Sequence, residues 1–163
     1  KNDDPKLYGK FFDTMSVCLS KGLGCPIGSV LVGSEEFLNN ALRIRKILGG
    51  AMRQVGYLAA AGLYAIKNNI DRLNEDHRRA KELADHFSNK EFVDNINDVE
   101  TNIIIIDLVN SSKKKKLIEY FTEQKVFFDW HSMGPKKIRL VTHLNYIENN
   151  HKNLLEIVDN CMV

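Results

Sequence analysis

One lysine stands where an apolar segment gives way to a glycine-rich one. Residues 14–19 are largely apolar, and Lys21 follows them with Gly22, Gly24 and Gly28 close behind. A lysine amine attacks a carbonyl group only when it is unprotonated, and partial burial favours the neutral amine by removing its solvation. The pattern therefore predicts a lysine at position 21 that forms a Schiff base.

The glycines beside this lysine leave room for a bound molecule. They have no Cβ, so they accept positive φ angles and let the backbone approach a flat ring and a phosphate group closely. The same spacing also fits a commoner arrangement, namely a strand that ends in an ordinary turn of glycine and proline. Spacing alone does not separate the two interpretations.

Three separated stretches of the chain carry a longer pattern. They are FDTMSVCLSKGLGCPIGSVLVGSEEF with RIRKILGGAMRQVGYLAAAGLYAIKNNIDRLNEDH, then ETNIIIIDL, then KIRLVTHLNY. In this order they resemble the low-specificity L-threonine aldolases of the pyridoxal-phosphate-dependent β-eliminating lyase superfamily. The resemblance implies a fold like that of aspartate aminotransferase, pyridoxal 5'-phosphate (PLP) as cofactor, and cleavage of L-threonine or L-allo-threonine to glycine and acetaldehyde.

The resemblance also implies roles for four residues. Lys21 matches the catalytic lysine that forms an aldimine with PLP, and Arg139 matches the arginine that binds the substrate α-carboxylate. A planar guanidinium suits that task because it meets both carboxylate oxygens. Arg53 and Lys46 match residues that reach the phosphate region of a neighbouring subunit, with Arg53 the better candidate. Without the resemblance, Arg139 is interpreted as a surface arginine and Lys46 as a cation at a helix end.

Polar residues near the strands of the second half receive lesser assignments. Asn102, before a very apolar strand, is predicted to fix that strand near the mouth of the active site. His143 is interpreted as a structural neighbour of Arg139, and His131 has no assigned role. The resemblance implies that the catalytic base lies outside this chain.

The patterning predicts an α/β protein in two parts. Residues 1–75 are expected to form the C-terminal part of a PLP-transferase-like large domain, an α/β/α sandwich, and residues 76–163 a small α+β domain. The expected elements are buried strands at 14–19 and 28–33, a helix between Ser34 and Gly49, helices at 51–68 and 70–88, a strand at 102–109, a lysine-rich helix to 124, strands at 126–130 and 138–142, and a helix at 147–161.

Composition narrows the possible partners. The chain is 44% hydrophobic and 27% charged with a net charge of +2, and it has no apolar run long enough to cross a bilayer. The run from Lys113 to Lys116 lacks interleaved aromatic residues and is interpreted as a solvated helix face, so neither nucleic acid nor membrane is expected as a partner. Cys18, Cys25 and Cys161 lack the spacing of metal ligands, which predicts free thiols, no metal, and a cytoplasmic location.

The length of the chain and one apolar helix predict which partners the chain has. The family resembled has chains about twice as long as these 163 residues, so we expect the N-terminal half of the same enzyme as a partner that supplies most of the PLP contacts. Helix 51–68 has no evident solvent face, which predicts a homodimer or homotetramer with active sites at the interface. Two alternatives stay open: a related PLP lyase such as a phenylserine aldolase, and an inactive fragment without a cofactor site.

Overall fold

The computed structural model describes residues 4–163, except for the side chain of Pro5. The chain divides into two compact units between Ile70 and Asp71. Each unit is described by itself below. The expected domains 1–75 and 76–163 concern a large and a small domain of a whole enzyme, and they stay a prediction.

The first unit contains a short ribbon of two strands and two helices. A 3-10 helix (Pro5–Lys10) precedes β1 (Thr14–Cys18) and β2 (Ser29–Gly33), and α1 (Glu35–Ile47) and α2 (Gly56–Asn68) follow. The strands pair antiparallel, with Thr14 opposite Gly33 and Cys18 opposite Ser29. Both strands form where the apolar patterning predicts them.

The prediction that these two strands are buried is wrong for the described residues. Val17, Val30, Leu31 and Val32 are between 41% and 44% exposed. A two-stranded ribbon has two faces, and within this unit the main helix contact with the ribbon is that of α1 with β2. The apolar side chains of the ribbon therefore need a further surface to cover them.

Both predicted ends of α1 are confirmed. The Ser34 hydroxyl accepts a hydrogen bond from the Phe37 N–H at 3.3 Å at the start of the helix. At its end, the Gly49 N–H donates to the Lys46 carbonyl at 3.1 Å and the Gly50 N–H to the Arg45 carbonyl at 2.8 Å. These crossed bonds satisfy carbonyls that the helix itself leaves open.

Helix α2 begins at Gly56, so its predicted start at residue 51 is wrong. Gln54 adopts φ 53, which an α-helix cannot contain, and the small and apolar residues before it do not reveal this interruption. Only Gly62 and Ala65 of α2 are buried. The exposed face carries large apolar side chains, namely Tyr57, Leu63, Tyr64 and Ile66.

The second unit packs three helices on one face of a three-stranded sheet. Its elements are α3 (Leu73–Ser88), β3 (Val93–Ile96), β4 (Ile103–Leu108), α4 (Ser111–Glu123), β5 (Lys137–Val141) and α5 (Glu148–Asp159). The antiparallel strands lie in the order β3-β4-β5. Alternate residues of β4 and β5 are buried and belong to one apolar core with residues of all three helices, among them Leu83, Phe121 and Val158. The other face of the sheet carries Arg139.

The predicted strand at 126–130 is wrong, and β3 was not predicted. Val126, Phe128 and Trp130 alternate inward as strand residues do. The alternation has another cause, because Phe128 packs its ring against Trp130 at 5.1 Å and against Phe121 at 5.0 Å, and no ladder forms. Strand β3 has the sequence VDNI, whose two central residues are poor strand formers.

The interpretation of the lysine run as a solvated face is wrong at one position. Lys114 is buried, with 7% of its surface exposed. The run lies in the first turns of α4, where the helical period places Lys114 on the same face as Leu117 and Phe121. The other lysines of the run are exposed or half-buried.

Candidate active site

Lys21 lies in a tight turn within a closed loop between β1 and β2. The Gly24 N–H donates to the Lys21 carbonyl at 2.8 Å, and the Leu19 N–H donates to the Gly28 carbonyl at 2.9 Å across the base of the loop. Gly24 and Gly28 have φ angles of 74 and 117, which side chains larger than hydrogen rarely permit. The loop therefore depends on two of the three glycines that the sequence places beside the lysine.

Helix α2 supports this loop from one side. Its buried stripe is made of small residues, and a Cβ placed on Gly62 would lie only 3.1 Å from Leu19 Cδ1. Two hydrogen bonds join the loop to the helix: Cys25 Sγ donates to the Ala61 carbonyl at 3.5 Å, and Asn69 Nδ2 donates to the Leu23 carbonyl at 2.8 Å. The small residues of α2 thus let the backbone that carries Lys21 approach the helix closely.

The side chain of Lys21 is exposed, so the partial burial predicted for it is wrong among the described residues. The loop buries Leu19 and Cys25 against α2, and Lys21 lies on the turn between them. The geometry therefore offers an accessible primary amine on a firmly held backbone. Its role as a Schiff-base lysine stays a prediction.

Lys46 and Arg53 are exposed cations on either side of the Gly49-Gly50 turn. Lys46 lies in the last turn of α1. The side chain that bonds to the backbone after this helix is that of the neighbouring Arg45, whose Nε donates to the Gly50 carbonyl at 2.8 Å. Arg53 lies in the turn before α2, whose first helical turn contains no acidic residue. Within residues 4–163 neither cation forms an ion pair, so both are available to an anion.

Arg139 occupies the middle of β5, opposite Ile105 of β4. Its side chain lies on the face of the sheet that the helices do not cover, and it is half-buried. On the same face Lys137 pairs with Asp107 at 2.9 Å. No carboxylate pairs with Arg139 in the part of the chain that the structure describes, which leaves the guanidinium available for a carboxylate ligand.

Sequence reasoning identified only part of what holds β5. Asn102 Nδ2 donates to the Thr142 carbonyl at 2.8 Å, so Asn102 ties the start of β4 to the end of β5, and its place near the mouth of an active site stays a prediction. Thr142 and Lys114 were missed. The Thr142 hydroxyl donates to the Asp76 carbonyl at 2.6 Å, and Lys114 Nζ donates to the carbonyls of Gly134 and Lys137 at 2.6 and 2.8 Å.

Burial lowers the pKa of Lys114 below that of an exposed lysine, because the charged amine loses solvation. The helical spacing of Lys114 with Leu117 and Phe121 was the signal that could have identified it as a buried residue. Thr142 gives no comparable signal, since its partner Asp76 is 66 residues away in the sequence.

A cleft of about 570 Å³ lies beside β5 in the second unit. Its walls include Leu140, Val141 and Thr142, but not Arg139.

The four predicted site residues are divided between the two units. Lys21, Lys46 and Arg53 belong to the first unit, and Arg139 belongs to the second. Their shared role in one site stays a prediction. Among the described residues, no helix is both long and apolar enough to cross a membrane.

The chain matches known proteins along most of its length. A family model described as beta-eliminating lyase matches residues 1–111. The low specificity L-threonine aldolase of Escherichia coli (strain K12) is 40% identical over 136 residues, which cover 83% of this chain and 39% of that protein. The low-specificity L-threonine aldolase 1 of Arabidopsis thaliana is 47% identical over 137 residues, covering 82% and 38%. The chain thus spans about two fifths of the length of these curated relatives.

Solved structures share the fold. A putative L-allo-threonine aldolase from Listeria monocytogenes EGD-E superposes with a TM-score of 0.79 at 21% identity, covering 98% of this chain and 46% of that one. Serine palmitoyltransferase of Sphingomonas wittichii gives a TM-score of 0.68 at 15% identity, covering 90% and 39%. These likenesses confirm the predicted α/β fold class. Since the family model covers more than half of the 163 residues, the chain belongs to the beta-eliminating lyase family.

Proposed function

We propose that the complete protein is a PLP-dependent aldolase that cleaves L-threonine or L-allo-threonine to glycine and acetaldehyde. The observation that carries this proposal is the exposed amine of Lys21 on its closed glycine loop, within residues 1–111, which match the beta-eliminating lyase family model. An amine that is both accessible and fixed at its backbone suits covalent binding of an aldehyde cofactor.

The described residues fit PLP. Lys21 would hold the cofactor through its amine, and a Cβ on Gly28 would meet nothing within 4 Å, so there is open space at the base of the loop. Arg53 and Lys46, which have no acidic partners among the described residues, would bind the phosphate, Arg53 more closely. When bound, PLP supplies an electron sink for the bond that breaks between Cα and Cβ.

Arg139 would bind the α-carboxylate of the substrate with two parallel hydrogen bonds. Its place on the uncovered face of the sheet and its freedom from carboxylate partners within residues 4–163 support this role. A carboxylate held at two oxygens fixes the rotation of the amino acid about its Cα–N bond. That rotation decides which bond to Cα is aligned for cleavage.

The site is proposed to need more than this chain alone. The relatives are longer than these 163 residues, which supports a partner region, the N-terminal half of the same enzyme, that supplies further PLP contacts. The exposed apolar face of α2 supports a homodimer or homotetramer with shared sites. A cytoplasmic location is proposed from the three free cysteines. By itself the 163-residue chain is expected to be inactive.

The test is Lys21→Ala in the complete protein. Turnover of L-threonine should fall by at least about a thousandfold, as expected for loss of a covalent catalyst, and the visible absorbance that PLP acquires on bonding to lysine should disappear. Lys152→Ala, an exposed lysine on α5, is the matched control and should keep both.

Cofactor that borohydride still traps in Lys21→Ala would contradict the assignment of Lys21. A panel of β-hydroxy amino acids separates a threonine aldolase from a phenylserine aldolase. Faster cleavage of phenylserine than of threonine would favour the second.

A further inference from the structure

The strand that carries Arg139 is short and lies at an edge of its sheet. β5 has five residues and pairs with β4 on one side, while β4 separates it from β3. Side chains alternate between the two faces of a strand, so a slip of one residue would turn Arg139 from the uncovered face into the apolar core. The burial of Ile138 and Leu140 selects this register, and a five-residue edge strand has few ladder bonds, so bonds at its two ends help to hold it in place.

Side chains hold the end of β5 just after the ladder. The Thr142 N–H donates to the Asn102 carbonyl at 3.0 Å, and Asn102 Nδ2 returns a hydrogen bond to the Thr142 carbonyl. The Thr142 hydroxyl adds a bond to the Asp76 carbonyl of α3. Thr142 is 2% exposed, and all of its polar groups are bonded. A slipped strand would break these bonds and bury their donors unpaired.

A lysine holds the beginning of the same strand. Lys114 Nζ donates to the Gly134 and Lys137 carbonyls, which lie before and at the first residue of β5. Lys137 is also placed by its ion pair with Asp107 on β4. Because the Lys114 side chain is 7% exposed, moving these carbonyls away would cost its amine both hydrogen-bond partners in a place where little water can replace them.

We propose that Lys114 and Thr142 are positioning residues for Arg139. They fix the two ends of β5 and so keep the guanidinium on the uncovered face, where it would bind the substrate α-carboxylate. This inference rests on the proposed function. Neither residue touches the substrate, and both act through the register of one strand.

The test compares matched variants of the complete protein loaded with PLP. Thr142→Val keeps the shape and removes the hydroxyl, while Thr142→Ser keeps the hydroxyl. Lys114→Met removes the buried amine, and Lys115→Met changes an exposed neighbour on the same helix. Thr142→Val and Lys114→Met should each raise the KM for L-threonine by up to about tenfold, the factor reached if the whole net contribution of one hydrogen bond serves to position Arg139.

The expected signature is selective. Thr142→Ser and Lys115→Met should keep the wild-type KM, and PLP absorbance should be unchanged in all four variants. Measurement far below the melting temperature ensures that a rise in KM does not reflect unfolded protein. In an Arg139→Lys background, Thr142→Val should add little further effect, because the side chain that it positions has already changed.

Arg139→Lys alone separates the two possible failures. If it leaves KM unchanged, the proposed role of Arg139 is wrong. If it raises KM while Thr142→Val and Lys114→Met do not, the positioning inference is wrong and the proposed function stands. If Thr142→Val does not fold, Asn102→Leu replaces it, because it removes the side-chain hydrogen bond to the Thr142 carbonyl at the end of β5. Asn102→Leu should also raise the KM. A wild-type KM in that variant would overturn the inference.

Discussion

Lys21 combines an exposed side chain with a backbone held by α2. The hydrogen bonds from Cys25 and Asn69 place the loop, yet they leave the amine in solvent. Partial burial would favour the neutral amine that attacks a carbonyl. Any such burial has to come from groups that cover the loop, including a bound cofactor. The described residues fix the position of the loop. A reactive, neutral Lys21 amine requires in addition the groups that cover the loop.

Arg139→Lys is expected to keep PLP and lose substrate affinity. A lysine provides a point charge where the guanidinium provides two parallel donors, so we expect a loss of roughly 2–4 kcal/mol in the binding of the α-carboxylate. The KM for L-threonine and the visible absorbance of the cofactor measure the two properties separately. Lys136→Met, an exposed residue just before β5, should change neither.

An unchanged KM for L-threonine in Arg139→Lys would contradict this role. Loss of PLP from that variant would also contradict it, because the prediction assigns Arg139 to the substrate and not to the cofactor.

At this scale local sequence signals mark the candidate residues, whose roles stay predictions, and they do not reveal the residues that hold them. Lys21 and Arg139 lie next to recognisable local features, a glycine-rich turn and a strand. Their supports are distant in the sequence: Asn69 is 46 residues from Leu23, and Thr142 is 66 residues from Asp76. Such pairings depend on the packing of whole elements, which one sequence does not reveal.

At the scale of elements, α3 and α5 are joined by a network of charges. Arg78 on α3 donates to Glu82 at 2.8 Å and to Glu148 of α5 at 2.7 Å. Glu82 also contacts the buried His151 of α5 at 2.8 Å, and the Tyr146 hydroxyl lies 3.0 Å from the other ring nitrogen of His151. Burial raises the pKa of Tyr146, so its hydroxyl keeps its proton and can donate a hydrogen bond to His151.

This network predicts how stability depends on pH. The hydrogen bonds from Arg78 are the largest cause that lowers the pKa of Glu82 and of Glu148. A lowered pKa in the folded state stabilises the fold above the ordinary glutamate value of 4.5, and the stabilisation is lost as pH falls below it. Arg78→Met should therefore lower the melting temperature at neutral pH and flatten its decrease in acid.

Melting curves at neutral pH and below pH 4.5 measure the effect. More than a third of each glutamate side chain is exposed, so solvent screening keeps the change in melting temperature small. Arg43→Met, an exposed arginine on α1, should leave the pH profile unchanged. Equal acid sensitivity of Arg78→Met and the wild type would contradict the prediction.

The elements that were predicted well have strong local signals. Ser34, the acidic residues after it and the Gly49-Gly50 pair mark both ends of α1. The start of α2 was misplaced because Gln54 adopts a positive φ that its residue type does not announce. The segment 126–130 alternates because its aromatic rings pack on α4, which imitates a strand.

At the scale of the whole molecule, the candidate residues are distributed over two units that are each compact. The first unit also exposes a row of large apolar side chains on α2, including Tyr57, Leu63 and Tyr64. Contiguous apolar surface of this kind marks a contact with another protein surface. The proposed oligomer would cover it and would bring Arg53 to the phosphate of a neighbouring subunit.

Hybrid oligomers test this sharing. Arg53→Ala should weaken retention of PLP without unfolding the complete protein, and Lys21→Ala should be inactive. When the two variants are unfolded and reassembled together, about a quarter of wild-type activity should return, because half of the random dimers are hybrids and each has one intact site.

Mass spectrometry of the reassembled sample shows whether hybrids have formed. Hybrids that form and yet are as inactive as Lys21→Ala would mean that Lys21 and Arg53 act within one subunit. Activity of Arg53→Ala alone provides the baseline for this comparison.

Helix α2 has a mechanical consequence that follows from its two faces. One face contacts the Lys21 loop through Ala61, Gly62 and Ala65, and the opposite face carries the exposed apolar side chains. A helix is only about 10 Å across, so whatever binds the exposed face lies one helix diameter from the loop. A displacement of α2 by a bound neighbour would move the amine with it. Binding of a neighbouring subunit to α2 and the reactivity of Lys21 would then be thermodynamically coupled, because one helix contacts both.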